Sequence, residues 1–146
     1  MMIKQHTILL VEDNPDDAEL TLAGFAMAKL SNPVDVVRDG ASALNYLNGT
    51  AEFAHRANTE LPIVVLLDLG LPKIGGFEVL RTIRSTPKLK RLPVVILTSS
   101  DEETDRLQSY DLGANSFVRK PIDFGSFAKA VAQLGVYWTL INQPCR

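Results

Sequence analysis

This sequence predicts a doubly wound α/β domain built on a five-stranded parallel sheet, and three observations carry that expectation. Three apolar, β-branched runs, Thr7 to Val11, Ile63 to Leu69 and Pro93 to Ser99, have so few polar interruptions that both faces of each must be covered. Two weaker runs, Val34 to Val37 and Ser116 to Lys120, extend the series. Helical signals fill the gaps between them. Alternation of β and α five times over implies a parallel sheet with right-handed crossovers and helices on both faces.

Each helix has its own local reasons. After the first strand, Asn14 can cap, Pro15 suits the first helical position, and Asp16 and Asp17 favour the positive end of the helix dipole, so a helix is expected to about Leu30. "GASALNYLNG" predicts a short helix from about Gly40 that Gly49 ends. "GGFEVLRTIRS" predicts a third, with Phe77, Leu80 and Ile83 at helical spacing. "SDEETDRLQSYDLG" opens on the capping box Ser100-x-x-Glu103 and closes at Gly113. A last helix is expected over about 123–141. The longest irregular stretch, Asn48 to Pro62, exceeds the usual connection. Its sequon "NGT" carries no weight in a cytosolic protein.

Size and composition narrow the function classes. The chain has 146 residues, 46% of them hydrophobic, which suits one domain with a sizeable core. No apolar run approaches the ~18 residues of a membrane span, and the N-terminus lacks a small-residue cleavage site. One cysteine, Cys145, provides neither a disulfide framework nor metal spacing, so a reducing cytoplasm is expected. A formal charge of −2 gives no basic field for nucleic acid, and "KLKRL" at Lys88 to Leu92 reads as a solvated loop. His6 and His55 read as surface or strand-start residues with no partner apparent.

In open α/β sheets ligands gather outside the carboxyl ends of the strands. There the first strand ends in Glu12 and Asp13, the third in Asp68, the fourth in Thr98 and the fifth in Lys120. A lone strand-end acid is more often a helix cap, and a lone threonine or lysine there is ordinary. The joint pattern is different. Asp68 ends the most apolar strand, where a carboxylate is costly unless it is paired or bound to a metal. Three converging carboxylates call for a cation, and Mg²⁺ prefers such oxygen ligands. An oxygen nucleophile, a hydroxyl and an ammonium are what phosphoryl transfer uses.

With these residues in view, the sequence resembles the response-regulator receiver domains of two-component signalling, over about His6 to Phe127. The motifs are "LLVEDN", "LLDLGLP" with Gly76 following, "ILTSS" and "FVRKP". The resemblance implies a flavodoxin-like fold with strand order 2-1-3-4-5. It implies Asp68 as phosphoacceptor, with Asp13, Asp68 and the backbone carbonyl of Gly70 as Mg²⁺ ligands and Glu12 acting through water. It further implies Thr98 and Lys120 on the phosphoryl oxygens, Phe117 as the switch aromatic moving with Thr98, and a cis peptide bond between Lys120 and Pro121. It implies a histidine kinase as the partner. The reaction modifies the protein itself, so it is not an enzyme in the ordinary sense.

Two positions depart from many relatives. Gly75 stands where they carry an acid before the third helix, which removes a cap. Gly70 places no side chain over the site. After the receiver only about twenty residues remain, too few for an output domain, so 1–146 is expected to be a single receiver domain acting through a partner. Phe127, Val131, Leu134, Trp138 and Ile141 form one helical stripe, while Val136, Tyr137 and Leu140 point elsewhere. A homodimer through Phe127, Val131, Leu134, Tyr137, Trp138 and Ile141 is therefore expected. The long loop and this tail resemble the single-domain regulators of cyanobacterial and bacterial phytochrome kinases.

Three rival readings fit the sequence less well. A haloacid-dehalogenase-type phosphatase wants a second Asp two residues on, where this chain has Gly70. A flavin carrier would need a phosphate-binding loop where "EDNPDD" is acidic. A receiver that binds partners without using phosphorylation would normally have lost Asp68, Thr98 or Lys120.

Overall fold

The computed structural model describes residues 6–27, 29–71, 74–98, 111–114 and 116–119. Five parallel strands, β1 (Ile8–Val11), β2 (Val34–Val37), β3 (Val64–Asp68), β4 (Val94–Thr98) and β5 (Ser116–Arg119), form one sheet in the order β2-β1-β3-β4-β5. This is the expected flavodoxin-like order. The strands centre on the predicted runs, and β3 is one residue shorter than its run at each end. Lys120, Pro121 and the tail with Phe127, Val131, Leu134, Tyr137, Trp138 and Ile141 lie outside the described residues, as does most of the predicted fourth helix.

The apolar runs are continuous because each strand has two faces to bury. Leu9, Val11, Val65, Leu67, Val94 and Ile96 enter the core shared with α2 (Gly40–Asn48) and α3 (Gly76–Ser85). Ile8, Leu10, Val64, Leu66, Val95 and Leu97 enter the opposite core, with Ala18 and Phe25 of α1 (Pro15–Met27). Every residue of β1 and β3 is buried.

The helix ends show which local signals won. Asn14 caps α1: its Oδ1 accepts the Asp16 and Asp17 N–H groups at 2.9 and 3.2 Å. The helix stops at Met27, short of Leu30. Lys29 turns left-handed at φ 60°, and the Leu30 N–H returns to the Phe25 carbonyl at 2.9 Å. Burying Leu30 in the α1 core outweighs the cost of a positive φ at a lysine. Asp39 caps α2 by accepting the Ser42 N–H at 2.7 Å, a signal the sequence reading passed over. Gly49 ends α2 at φ 66°, as expected. At the predicted end of the fourth helix, Gly113 takes φ 97°.

The stretch from Asn48 to Pro62 is not irregular throughout. Residues Ala51–Arg56 form a 3₁₀ helix kinked at Phe53. Contacts to Tyr46 of α2 hold it: the Phe53 ring meets the Tyr46 ring edge-on at 5.3 Å, and the Arg56 guanidinium lies 3.8 Å over the same ring. His55 is exposed but not isolated, its ring 6.3 Å from that of Phe53. The Tyr46 hydroxyl donates to Asp35 Oδ2 at 2.5 Å. Burial first, then that bond and the Asp35 charge, push the Tyr46 phenol well above its ordinary value of 10.0, with Arg56 acting in the opposite sense.

Arg84, in the last turn of α3, ties three segments together. It donates to the carbonyls of Leu92 at 2.6 Å, Gly113 at 2.8 Å and Lys90 at 3.3 Å. Its burial lowers the guanidinium below its ordinary value. A Cβ at Gly113 would lie 2.9 Å from Arg84 Nε, so glycine there serves both the positive φ and this packing.

Candidate functional site

The order β2-β1-β3 places a change of winding direction between β1 and β3, and the crevice at their carboxyl ends is where such sheets bind ligands. Val11, the last residue of β1, pairs with Leu67, one residue before Asp68. Glu12 and Asp13 follow Val11 directly, so the sheet register delivers all three acids to one place. Carboxylate oxygens of Glu12, Asp13 and Asp68 lie within 4.8 Å of one another. Glu12 and Asp68 are buried, at 0% and 7% exposure, and Asp13 is exposed. Backbone donors orient two of them. The Asn14 N–H meets Glu12 Oε2 at 3.2 Å, and the Gly70 N–H meets Asp68 Oδ1 at 3.1 Å.

The donor set fits a hard divalent cation. Two unit charges about 4 Å apart repel by roughly 4 kcal/mol at an effective dielectric near 20. Repulsion of this kind is what a cation among the carboxylates relieves. Oxygen-only donors select Mg²⁺ or Mn²⁺ over softer metals.

The neighbouring glycines shape access. Among the described residues a Cβ on Gly70 would meet only Asp68 Oδ1, at 3.9 Å, so none of them covers the space over the carboxylate, as its lack of a side chain predicts. A Cβ on Gly76 would lie 2.6 Å from the Asp68 carbonyl oxygen and 2.8 Å from the Leu69 Cα. Gly76 thus lets the start of α3 sit directly against the end of β3, a role the sequence reading did not assign. The Gly–Gly pair at 75–76 was the available signal. Gly75 is the cap residue of α3 and makes no side-chain cap bond, as its identity predicts.

Of the other predicted site residues, Thr98 ends β4, one register step beyond Leu97, the partner of Asp68. Phe117 lies in β5 beside Ile96, half-buried against the α2–α3 core. Lys120 lies outside the described residues. Among those described, no helix is long and apolar enough to cross a membrane.

Comparison with known proteins gives a consistent answer. The bacteriophytochrome response regulator AtBRR superposes with a TM-score of 0.87 at 51% identity, covering 97% of this chain and 100% of that one. The response regulator Rcp1 of Synechocystis sp. is 37% identical over 131 residues, 90% of this chain and 87% of its own. The crystal structure of its Mn²⁺-bound form has a TM-score of 0.73 at 35% identity and covers 96% and 99% of the two chains. The phosphorylated cyanobacterial phytochrome response regulator RcpA gives 0.75 at 39% identity, over 92% and 94%. Residues 8–132 match the model of the response regulator receiver domain, and with the winding, register and acidic cluster described above this chain belongs to that family.

Proposed function

We propose that this receiver takes a phosphoryl group from a histidine kinase onto Asp68 in a Mg²⁺-dependent reaction, within a phytochrome-type light-signalling pathway in the cytoplasm. The observation that carries it is the convergence of Glu12, Asp13 and Asp68 at the β1–β3 crevice, with Asp68 the last residue of a fully buried strand. The pathway reading is supported by the identity to the bacteriophytochrome regulator AtBRR and the phytochrome regulator RcpA over nearly the whole chain.

The residues divide the work. The rigid end of β3 fixes the Asp68 carboxylate, and the Gly70 N–H orients Oδ1. In transfer, an Asp68 oxygen bonds to phosphorus as the phosphorus–nitrogen bond of the kinase phosphohistidine breaks, and the imidazole nitrogen recovers that electron pair. Asp13, Asp68 and the Gly70 carbonyl would hold the Mg²⁺ ion directly, and Glu12 through water. When bound, the ion offsets the charge gathered on the carboxylates and phosphoryl oxygens. Thr98 and Lys120 hold phosphoryl oxygens by hydroxyl and ammonium, and Phe117 shifts with Thr98 to report the state. The apolar tail from Phe127 to Ile141 pairs two copies of the chain.

The test is label transfer from a phosphorylated kinase or a small phosphodonor. Hydroxylamine-sensitive label is expected on the unmodified protein, none on Asp68→Asn, and none in excess chelator. Label that persists in Asp68→Asn refutes the assignment. Sedimentation of Trp138→Glu beside the unmodified chain tests the pairing, which fails if the unmodified chain is a monomer with and without phosphate.

A further inference from the structure

β2 is the last strand on its side of the sheet, and among the described residues no strand pairs with its outer edge. Its inner ladder uses the carbonyls of Pro33 and Val37, which accept from the Ile8 and Glu12 N–H groups. Alternate residues of a strand bond to the same neighbour, so Asp35 shares that side, and Val34 and Val36 turn their N–H and C=O groups outward.

Beside this edge lies a cavity of about 210 Å³. Residues 35, 36 and 37 all line it. Side chains alternate across a strand and Val36 packs on the opposite core, so Val36 meets the cavity through the backbone of this edge strand. The other walls are Tyr46, Phe53, His55 and Arg56. The volume falls below the ~300–1,000 Å³ of sites for drug-sized molecules but accommodates one side chain. No residue of the acidic cluster lines it.

The charged groups of the cavity are unevenly committed. Asp35 already accepts the Tyr46 hydroxyl. Arg56 is stacked on the Tyr46 ring, which fixes the plane of its fork. Its hydrogen bonding is nonetheless slight: one terminal N–H reaches the Glu60 carbonyl at 3.4 Å, and the buried Nε has no hydrogen-bond partner among the described residues. A guanidinium held rigid, with most of its five donors unspent, is preorganised for a carboxylate.

We propose that the β2 edge and this cavity bind an extended peptide segment of a partner protein. The segment adds as a sixth strand along Val34 and Val36 and seats a glutamate or aspartate side chain in the cavity against Arg56. Only two residues of β2 face outward, so main-chain pairing is short and affinity hinges on the carboxylate. This surface is separate from phosphoryl chemistry and goes beyond it.

The experiment is an NMR titration of the ¹⁵N-labelled full chain with end-blocked Thr-Val-Xaa-Val-Thr peptides, where Xaa is Glu, Asp, Gln or Lys. Saturable shifts at the amides of Val34, Val36 and Arg56 are expected with the Glu or Asp peptide. Affinity should fall at least tenfold with Gln and further with Lys. Arg56→Gln should cost at least tenfold. Val36→Pro, which removes an outward N–H from an edge strand while leaving the inner ladder and Arg56 in place, should abolish binding. Asp68→Asn should bind normally, which separates this surface from the phosphorylation site. No saturable shift with any of the four peptides, equal binding of the Glu and Gln peptides, or shifts mapping away from β2 would each overturn the proposal. Concentration-dependent shifts at β2 without peptide would assign the edge to a second copy of the chain and overturn it equally.

Discussion

Two neighbourhoods of this molecule hold carboxylates in opposite ways. At the carboxyl ends of β1 and β3, Glu12, Asp13 and Asp68 crowd like charges within 4.8 Å, and two of the three are buried. On the flank formed by β2, α2 and the 3₁₀ helix, Asp35 accepts a hydrogen bond from Tyr46, whose ring carries the Arg56 guanidinium. Acid, phenol and cation offset one another on the flank, so that region adds stability. The crevice concentrates charge that calls for a cation, so it gives up stability for chemistry. The same residue type therefore has opposite energetic signs in two parts of one sheet, and substitutions should reveal those signs.

Tyr46→Ala should give the largest effect. It empties a buried site, removes the platform of Phe53 and Arg56, and leaves Asp35 without its hydroxyl partner. Large-to-small changes of this size cost about 3–5 kcal/mol. Urea unfolding should show that loss, and proteolysis within residues 51–56 should accelerate in parallel. A loss under about 1 kcal/mol would mean that the flank is not organised around Tyr46.

Asp13→Asn should behave in the opposite sense. Removing one like charge should stabilise the metal-free protein, by an amount on the order of 1 kcal/mol or less because Asp13 is exposed and solvent screens it. It should also weaken Mg²⁺ binding at least tenfold, about 1.4 kcal/mol, so that Mg²⁺ raises Tm less than in the parent. Calorimetric titration and melting with and without Mg²⁺ check both signs. Destabilisation of the metal-free form would show that the cluster contributes to the fold after all.

The two neighbourhoods were not equally legible in the sequence. The crevice was, because strand ends are marked by composition and parallel topology sends every carboxyl end to one edge. The run Val34 to Val37, one of the two weaker ones, coincides with β2 residue for residue. The flank was not. Its 3₁₀ helix has no regular apolar period and is held by Phe53 and Arg56 packing on a tyrosine several residues back. The early end of α1 was hidden for a related reason: nothing local at Lys29 announces a left-handed turn that exists to bury Leu30. Tertiary contacts decided both cases.

The flank also predicts a pH dependence. The Tyr46 phenol is raised in the folded state, chiefly by burial and then by Asp35. Its contribution is therefore fully present below the unfolded value near 10. It is lost as pH rises past that value, because the unfolded chain ionises while the folded chain keeps the proton. One proton gives a slope of at most ~1.4 kcal/mol per pH unit. Tyr46→Phe should be less stable than the parent at neutral pH, with the gap narrowing from about pH 10 upward. Lysines titrate in the same range, so the difference between the two proteins is the quantity to measure. Parallel stability curves would show that Tyr46 is as free to ionise in the fold as in the unfolded chain.

At the glycine pair beside the crevice, adjacent identical residues should respond with opposite signs, and the smaller of the two responses is a gain at Gly75. Gly75 caps α3 with φ −69° and ψ 163°, a conformation any residue adopts, and a Cβ there would meet nothing within 4 Å among the described residues. Serine at this position could accept a free N–H of the first turn, and it narrows the unfolded ensemble relative to glycine. Gly75→Ser should therefore stabilise by about 0.5–1 kcal/mol, raising Tm by roughly 2–4 °C per kcal/mol for a chain of this size. Serine is preferable to aspartate because it does not add to the charge already gathered at Glu12, Asp13 and Asp68. At Gly76 the same substitution drives Cβ into the Asp68 carbonyl at 2.6 Å, and both contacting groups are backbone and cannot swing aside. Gly76→Ser should cost about 1–3 kcal/mol and displace the end of β3 that fixes Asp68. Urea midpoints with unchanged slopes measure both effects, and phosphoryl transfer should be impaired only in Gly76→Ser. If both variants lose stability, the open space at Gly75 does not translate into a usable cap. If Gly76→Ser is neutral, α3 does not press on the strand end, and the rigidity assigned to the Asp68 carboxylate must come from β1 and β4 alone.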